Sequence, residues 1–173
     1  MLSYNVAALL KSEPGAQRTF DVDVDISGID QDLVLTKPLT GRLRLLRTDT
    51  GILATGRLQT EALVPCRRCL EPMIVGVEIE LEEEFQPSID IFTGAVIAAA
   101  DGEDEVTKID DHHILDLTEV VRQNLLLATP TSPLCRPDCH GLCPTCGANL
   151  NEEPCSCQRE EEDPRLAALR DLL

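Results

Sequence analysis

Six cysteines fall within residues 135–157, spaced C-x3-C-x3-C-x2-C-x8-C-x-C. So little apolar matter accompanies them that the stretch needs a cross-link to fold at all. The strongest unit is Cys143-Pro144-Thr145-Cys146-Gly147. A C-P-x-C-G turn aims both sulfurs at one centre, and the glycine accepts the positive φ that follows. Two such thiolates and two more complete a tetrahedral zinc site. The further ligands come from Cys135, Cys139, Cys155 and Cys157, and the spacing does not choose among them: four of the six fill the site. The competing expectation is a cluster of buried free thiols. His140 lies inside the cluster and has a ligand's chemistry, but with sulfur in surplus a surface position is expected for it. The adjacent His112 and His113 would face opposite sides of a strand, which argues against a joint site.

Cys66-Arg67-Arg68-Cys69 is a second pair, with three readings: half of a zinc site, a redox dithiol, or two cysteines packed for structure. A thioredoxin-like dithiol follows a strand and opens a helix, which lowers the thiolate pKa. Here Pro72 and an extended pattern follow, so redox chemistry is the weakest of the three, although two arginines would favour thiolates. Eight cysteines suffice for two four-sulfur sites, with this pair joining one. The N-terminal residues lack the basic and long apolar regions of a signal peptide, so a cytoplasmic, reducing location is expected. Reduced cysteines favour metal over disulfides.

The rest of the chain reads as an α+β, mainly β domain: an antiparallel sheet, barrel-like, with one amphipathic helix. Leu2, Val6, Leu9 and Leu10 have helical spacing before Pro14-Gly15. Residues 19–26 alternate apolar and acidic, as a half-buried strand does. Residues 39–47 and 52–64 form a hairpin around Thr48-Asp49-Thr50-Gly51. Residues 73–85 place Val75, Val77, Ile79 and Leu81 on one face and Glu78, Glu80 and Glu82 on the other. Residues 95–105 read as a mobile loop. Residues 115–128 read as a helix, capped by Asp116, with Leu117, Val120, Val121, Leu125 and Ala128 buried. The expected organisation is a β-rich core over 1–130, a cysteine-rich zinc-binding appendage over 131–158, and an acidic linker with a short helix over 159–173. That last helix carries Leu166, Leu169 and Leu173 on one side and needs a surface to dock on.

Several function classes are excluded. No apolar run approaches the ~20 residues of a membrane-spanning helix. There is no glycine-rich phosphate loop, no H-E-x-x-H and no G-x-S-x-G. A zinc ion saturated by sulfur leaves no open position for catalysis, so no enzyme is expected. Only Tyr4, Phe20, Phe85 and Phe92 are aromatic, a poor platform for stacking bases. The net charge of −16 resides wholly in residues 77–173, with 6 basic against 22 acidic side chains. Residues 37–68 instead hold Lys37, Arg42, Arg44, Arg47, Arg57, Arg67 and Arg68 against Asp49 and Glu61.

The stretches LVPCRRCLEP (63–72), PLCRPDCHGLCPTCGANLN (133–151), the trailing Cys155-Ser156-Cys157 and the tail DPRLAAL resemble the YceD family in the same order along the chain. The resemblance implies a non-enzymatic bacterial factor in ribosome biogenesis that supports synthesis, processing or stability of large-subunit ribosomal RNA. Joined to the charge pattern, it suggests an adaptor on the pre-ribosomal large subunit. Arg42, Arg44, Arg67 and Arg68 are the RNA-binding candidates, and the acidic half would hold a basic ribosomal protein. A solvated outer face is an equally good account of those arginines, because Arg42 and Arg44 alternate with Leu43 and Leu45. The rival expectation, from another class, is a cytoplasmic thiol-redox or zinc-trafficking protein that uses the CxxC pairs.

Overall fold

Period-2 alternation of apolar side chains dictates most of the architecture. A computed structural model describes residues 2–97 and 105–157, which form two compact units. Unit 1 comprises, of the described part, residues 2–64, 73–97 and 105–131. Unit 2 comprises residues 65–72 and, of the described part, 132–157, so the CRRC loop belongs with the C-terminal cysteines. The acidic linker, the tail with Leu166, Leu169 and Leu173, and residues 98–104 of the expected loop lie outside the described residues.

The elements in chain order are β1 (Ser3–Asn5), α1 (Ala7–Leu10), β2 (Gln17–Val24), β3 (Val34–Leu35), β4 (Leu39–Arg47) and β5 (Ile52–Pro65). They continue with β6 (Pro72–Pro87), β7 (Lys108–Ile109), β8 (Ile114–Asp116) and α2 (Thr118–Ala128). The main sheet is open, with order β2-β4-β5-β6-β7 and β3 paired to β5. The expected hairpin is present: Leu43 faces Gly56 and Arg47 faces Ile52 in an antiparallel register. The Arg47 Nη1 atom donates to the Thr48 and Gly51 carbonyls, and the Thr48 and Thr50 hydroxyls donate to Glu84 Oε1 at 2.7 and 2.6 Å.

Inward side chains Val22, Leu43, Leu45, Ile52, Leu58, Val77, Ile79, Leu81 and Phe85 form one apolar cluster with Leu2, Val6, Leu9 and Leu10 and with Val120, Val121 and Leu125 of α2. Each fully buried aliphatic side chain contributes roughly 1.5–3 kcal/mol of transfer free energy, so aliphatic burial can hold this unit without tryptophan. The Tyr4 and Phe20 rings pack at 4.8 Å, tilted by 50°.

Four details differ from the sequence reading. Ile114–Asp116 is a strand paired to β1, not the first turn of the helix. Leu115 and Leu117 are both buried, and short strand and helix patterns coincide over so few residues. Asp116 accordingly precedes the cap residue Leu117, and its Oδ1 accepts the Thr118 N–H at 2.9 Å. Ala128 is exposed, because the helix ends there and the buried stripe stops at Leu125. His112 and His113 lie in a turn rather than a strand, with Asp110 Oδ1 accepting from the His112 and Ile114 N–H groups. Finally, β7 joins β6 in parallel, through Gln86–Lys108 and Pro87–Ile109, so the sheet is mixed.

An ion cluster fastens α2 within unit 1. Arg122 reaches Asp30 at 2.6 Å and Glu119 at 2.7 Å. Hydrogen bonds from Arg122 and then Gln123 pull the Glu119 carboxyl down from 4.5 to about 2. A group whose pKa is depressed by folding stabilises the fold above its unfolded value and loses that contribution as the pH falls. Thermal stability of unit 1 is therefore expected to fall between pH 4.5 and about 2. Melting curves across this range should show a shallower fall for Arg122→Gln, and equal slopes would contradict the assignment.

Candidate metal centre

Both CxxC pairs form the same backbone knuckle. In the first, the Leu70 N–H donates to the Cys66 carbonyl at 2.9 Å and the Cys66 N–H to the Glu71 carbonyl at 2.9 Å. In the second, the Gly147 N–H donates to the Cys143 carbonyl at 2.9 Å and the Cys143 N–H to the Ala148 carbonyl at 2.8 Å. The turn needs a left-handed residue after the second cysteine. Gly147 supplies it at φ 75°, whereas in the first knuckle Leu70 does so at φ 62°, with its side chain 61% exposed. That conformation costs a side-chain-bearing residue roughly 1–2 kcal/mol. Leu70→Gly relieves this strain but makes the unfolded chain more flexible, so a net change between zero and about +1 kcal/mol is expected. Chemical denaturation of the metal-loaded protein checks it, and a clear loss would show that the Leu70 side chain has a packing role.

The sulfurs gather in two groups of four, Cys66, Cys69, Cys135 and Cys139 in one, and Cys143, Cys146, Cys155 and Cys157 in the other. Within each group all sulfurs lie within 4.8 Å of one another. Cys66 and Cys139 are 3.9 Å apart and Cys69 and Cys135 are 3.6 Å apart. Tetrahedral coordination with metal–sulfur bonds of about 2.3 Å puts neighbouring sulfurs about 3.8 Å apart. Each group therefore has the donors and the spacing to hold one metal ion. His140 is exposed and belongs to neither group. The first group is the more enclosed, with Cys66, Cys69 and Cys139 buried and Cys135 exposed. In the second only Cys143 is buried.

The local electrostatics prepare thiolates and crowd them. Backbone N–H groups of Cys69 and Cys135 lower Cys66 to about 6, and those of Cys146 and Thr145 lower Cys143 to about 6. Burial opposes ionisation of Cys139, but hydrogen bonds from the Asn151 amide, the Gly141 N–H and the Cys135 and Cys69 thiols together lower its pKa. Cys69, Cys135, Cys155 and Cys157 are driven the other way. Burial and then the neighbouring sulfurs raise Cys135 to about 12, and Cys146 with burial raises Cys157 to about 12. Four like charges in so small a space ionise together only around a cation.

Outer contacts orient the first group. Asn151 Nδ2 donates to Cys139 Sγ at 3.4 Å, while its Oδ1 accepts from the His140 N–H and the Arg136 guanidinium, both at 2.8 Å. Arg68 Nη1 donates to the Cys139 carbonyl at 2.8 Å, and the Arg68 carbonyl accepts the Leu142 N–H at 3.1 Å. Sequence reading missed Asn151. The Asn149-Leu150-Asn151 pattern after the second knuckle is the sequence signal that could have found it, and in the structure Asn151 Nδ2 donates to Asn149 Oδ1 at 2.8 Å. The CRRC pair does not open a helix, because β6 follows directly.

Residues 54–173 match the family described as large ribosomal RNA subunit accumulation protein YceD. The chain belongs to the YceD family. Uncharacterized proteins of Mycobacterium bovis and Mycobacterium tuberculosis are each 34% identical over 152 residues, covering 88% of this chain and 68% of theirs. A chloroplastic large ribosomal RNA subunit accumulation protein YCED homolog 1 of Zea mays is 31% identical, covering 68% of this chain and 45% of its own. No solved structure matches.

Within this YceD chain the RNA-binding candidates do not share one unit: Arg42 and Arg44 are on β4 in unit 1, Arg67 and Arg68 in unit 2. Arg42 pairs with Asp21 at 3.4 Å across the β2–β4 register. Arg44 Nε donates to the neutral Thr55 hydroxyl, so its charge is unmatched there. The neighbouring cations are also engaged, Lys37 by Glu61 at 2.6 Å and Arg57 by Glu78 and Glu80. Among the described residues, the Arg67 guanidinium has no such partner.

Proposed function

We propose that this chain is a non-enzymatic factor of large-subunit ribosome biogenesis, acting in the cytoplasm on the accumulation of ribosomal RNA. Family membership over residues 54–173, together with the name of the Zea mays relative, is the observation that carries the proposal. The chemistry supports an adaptor. The cysteine groups have sulfur enough to saturate a metal, which favours a structural zinc over a catalytic one. Glu78, Glu80 and Glu82 lie on the exposed face of β6 and suit a basic ribosomal protein. Arg44 and Arg67, whose charges are least matched, are the favoured phosphate contacts, ahead of Arg42 and Arg68.

Affinity purification of tagged protein from cells is expected to bring down pre-ribosomal large-subunit particles, with mature large-subunit RNA reduced when the gene is deleted. Recovery of neither, with RNA levels unchanged, would overturn the proposal. Binding to naked RNA is expected to be weak, insensitive to sequence and steeply salt-dependent, because only phosphate contacts are on offer. Tight, sequence-selective binding at physiological salt would contradict that mode of contact.

A further inference from the structure

We propose that unit 2 holds two zinc ions in separate four-thiolate sites of unequal lability, the first bound by Cys66, Cys69, Cys135 and Cys139 and the second by Cys143, Cys146, Cys155 and Cys157. The inference rests on the reading that these thiolates hold zinc and is independent of the ribosomal role. Two knuckles with identical hydrogen-bond patterns would suit a single shared ion, one CxxC from each side. The sulfur positions say otherwise: each knuckle closes a group with a different later pair, and the eight sulfurs divide four and four. On binding, each site exchanges up to four thiol protons for one Zn2+ and becomes a dianion.

The surroundings of the two dianions differ. The first has Arg67 and Arg68 in its own knuckle, and its Cys139 sulfur accepts the Asn151 amide, which Arg136 in turn holds. Three of its sulfur-bearing residues are at most 4% exposed. The second has Glu152 and Glu153 close by in sequence, no arginine between its ligands, and Cys146 and Cys157 exposed. Solvent and chelators reach the second site first, because Cys146 and Cys157 are exposed. Supporting hydrogen bonds of this kind change metal affinity by roughly 10–100-fold, so release from the first site is expected to be at least about tenfold slower.

Native mass spectrometry of full-length protein purified without chelator is expected to show two zinc ions per chain. A colorimetric chelator should then withdraw them in two phases of equal amplitude. Cys155→Ser with Cys157→Ser is expected to abolish the fast phase and leave one slowly released ion. Cys66→Ser with Cys69→Ser is expected to abolish the slow phase. If that second variant fails to fold, the first still decides the matter. One ion per wild-type chain, or loss of both ions from the Cys155/Cys157 variant, would overturn separate sites while leaving zinc binding intact. Two ions leaving at one rate would overturn the inequality. No zinc at all would sink the zinc reading itself.

Discussion

Withdrawing zinc from the folded protein with excess chelator at neutral pH is expected to unfold residues 65–72 and 132–157 while the β sheet of unit 1 persists. The buried apolar residues of unit 2 are Cys66, Cys69, Cys139 and Cys143, with no buried leucine, isoleucine or valine among its described residues. Ordering a backbone costs roughly 1–2 kcal/mol per residue. Four thiols cannot offset that cost, whereas a structural zinc contributes about 10–16 kcal/mol of binding free energy near pH 7. Unit 1 has its own aliphatic cluster from β2, β4, β5, β6 and α2 and needs no metal. Amide hydrogen exchange followed before and after chelation checks this directly. Protection should collapse around Gly147 and Leu150 and survive around Leu43 and Ile79. Retained protection in residues 135–157 would mean that something other than metal holds them.

Phe85→Ala is expected to cost unit 1 about 3–5 kcal/mol, the usual range for emptying a buried aromatic site. Phe85 is fully buried at the inner face of β6 and is the bulkiest of the wholly enclosed side chains. A domain of this kind has only about 5–15 kcal/mol in hand, so the variant should unfold at far lower urea concentration. Phe92→Ala is the control. That ring is 74% exposed, and its removal should change stability by no more than about 0.5 kcal/mol. A similar loss from both variants would show that the aliphatic cluster is more plastic than its burial implies.

Long strands were legible because alternation accumulates over many residues. The turn at 48–51 lay where the residues 39–47 and 52–64 stopped alternating. The three-residue strands β1 and β8 and the two-residue β7 carry too few positions to separate a period of 2 from one of 3.6, so Leu115 reads from sequence as helical although it lies in β8. The apolar set Leu2, Val6, Leu9 and Leu10 pointed correctly to buried side chains, although only one helical turn forms there. In the sulfur groups, local spacing identified each knuckle but said nothing about its partners. Pairing depends on where the chain goes over the 66 positions from Cys69 to Cys135, and no local rule contains that information. Leu70 escaped notice for a related reason. Sequence rules look for glycine at a left-handed position, and here a leucine is held there by its neighbours.

The different spans closed by the two sulfur groups also set an order of events during folding. Cys146 and Cys155 are nine positions apart, whereas Cys69 and Cys135 are separated by 66. Chain-closure entropy makes the longer ring about 2 kcal/mol harder to form from an unstructured chain. The C-terminal group can therefore assemble early from local contacts. The group that includes Cys66 must close over β6, β7, β8 and α2, which all lie between its two halves in the chain. Its completion marks a chain in which residues 66–69 and 135–139 have been brought together.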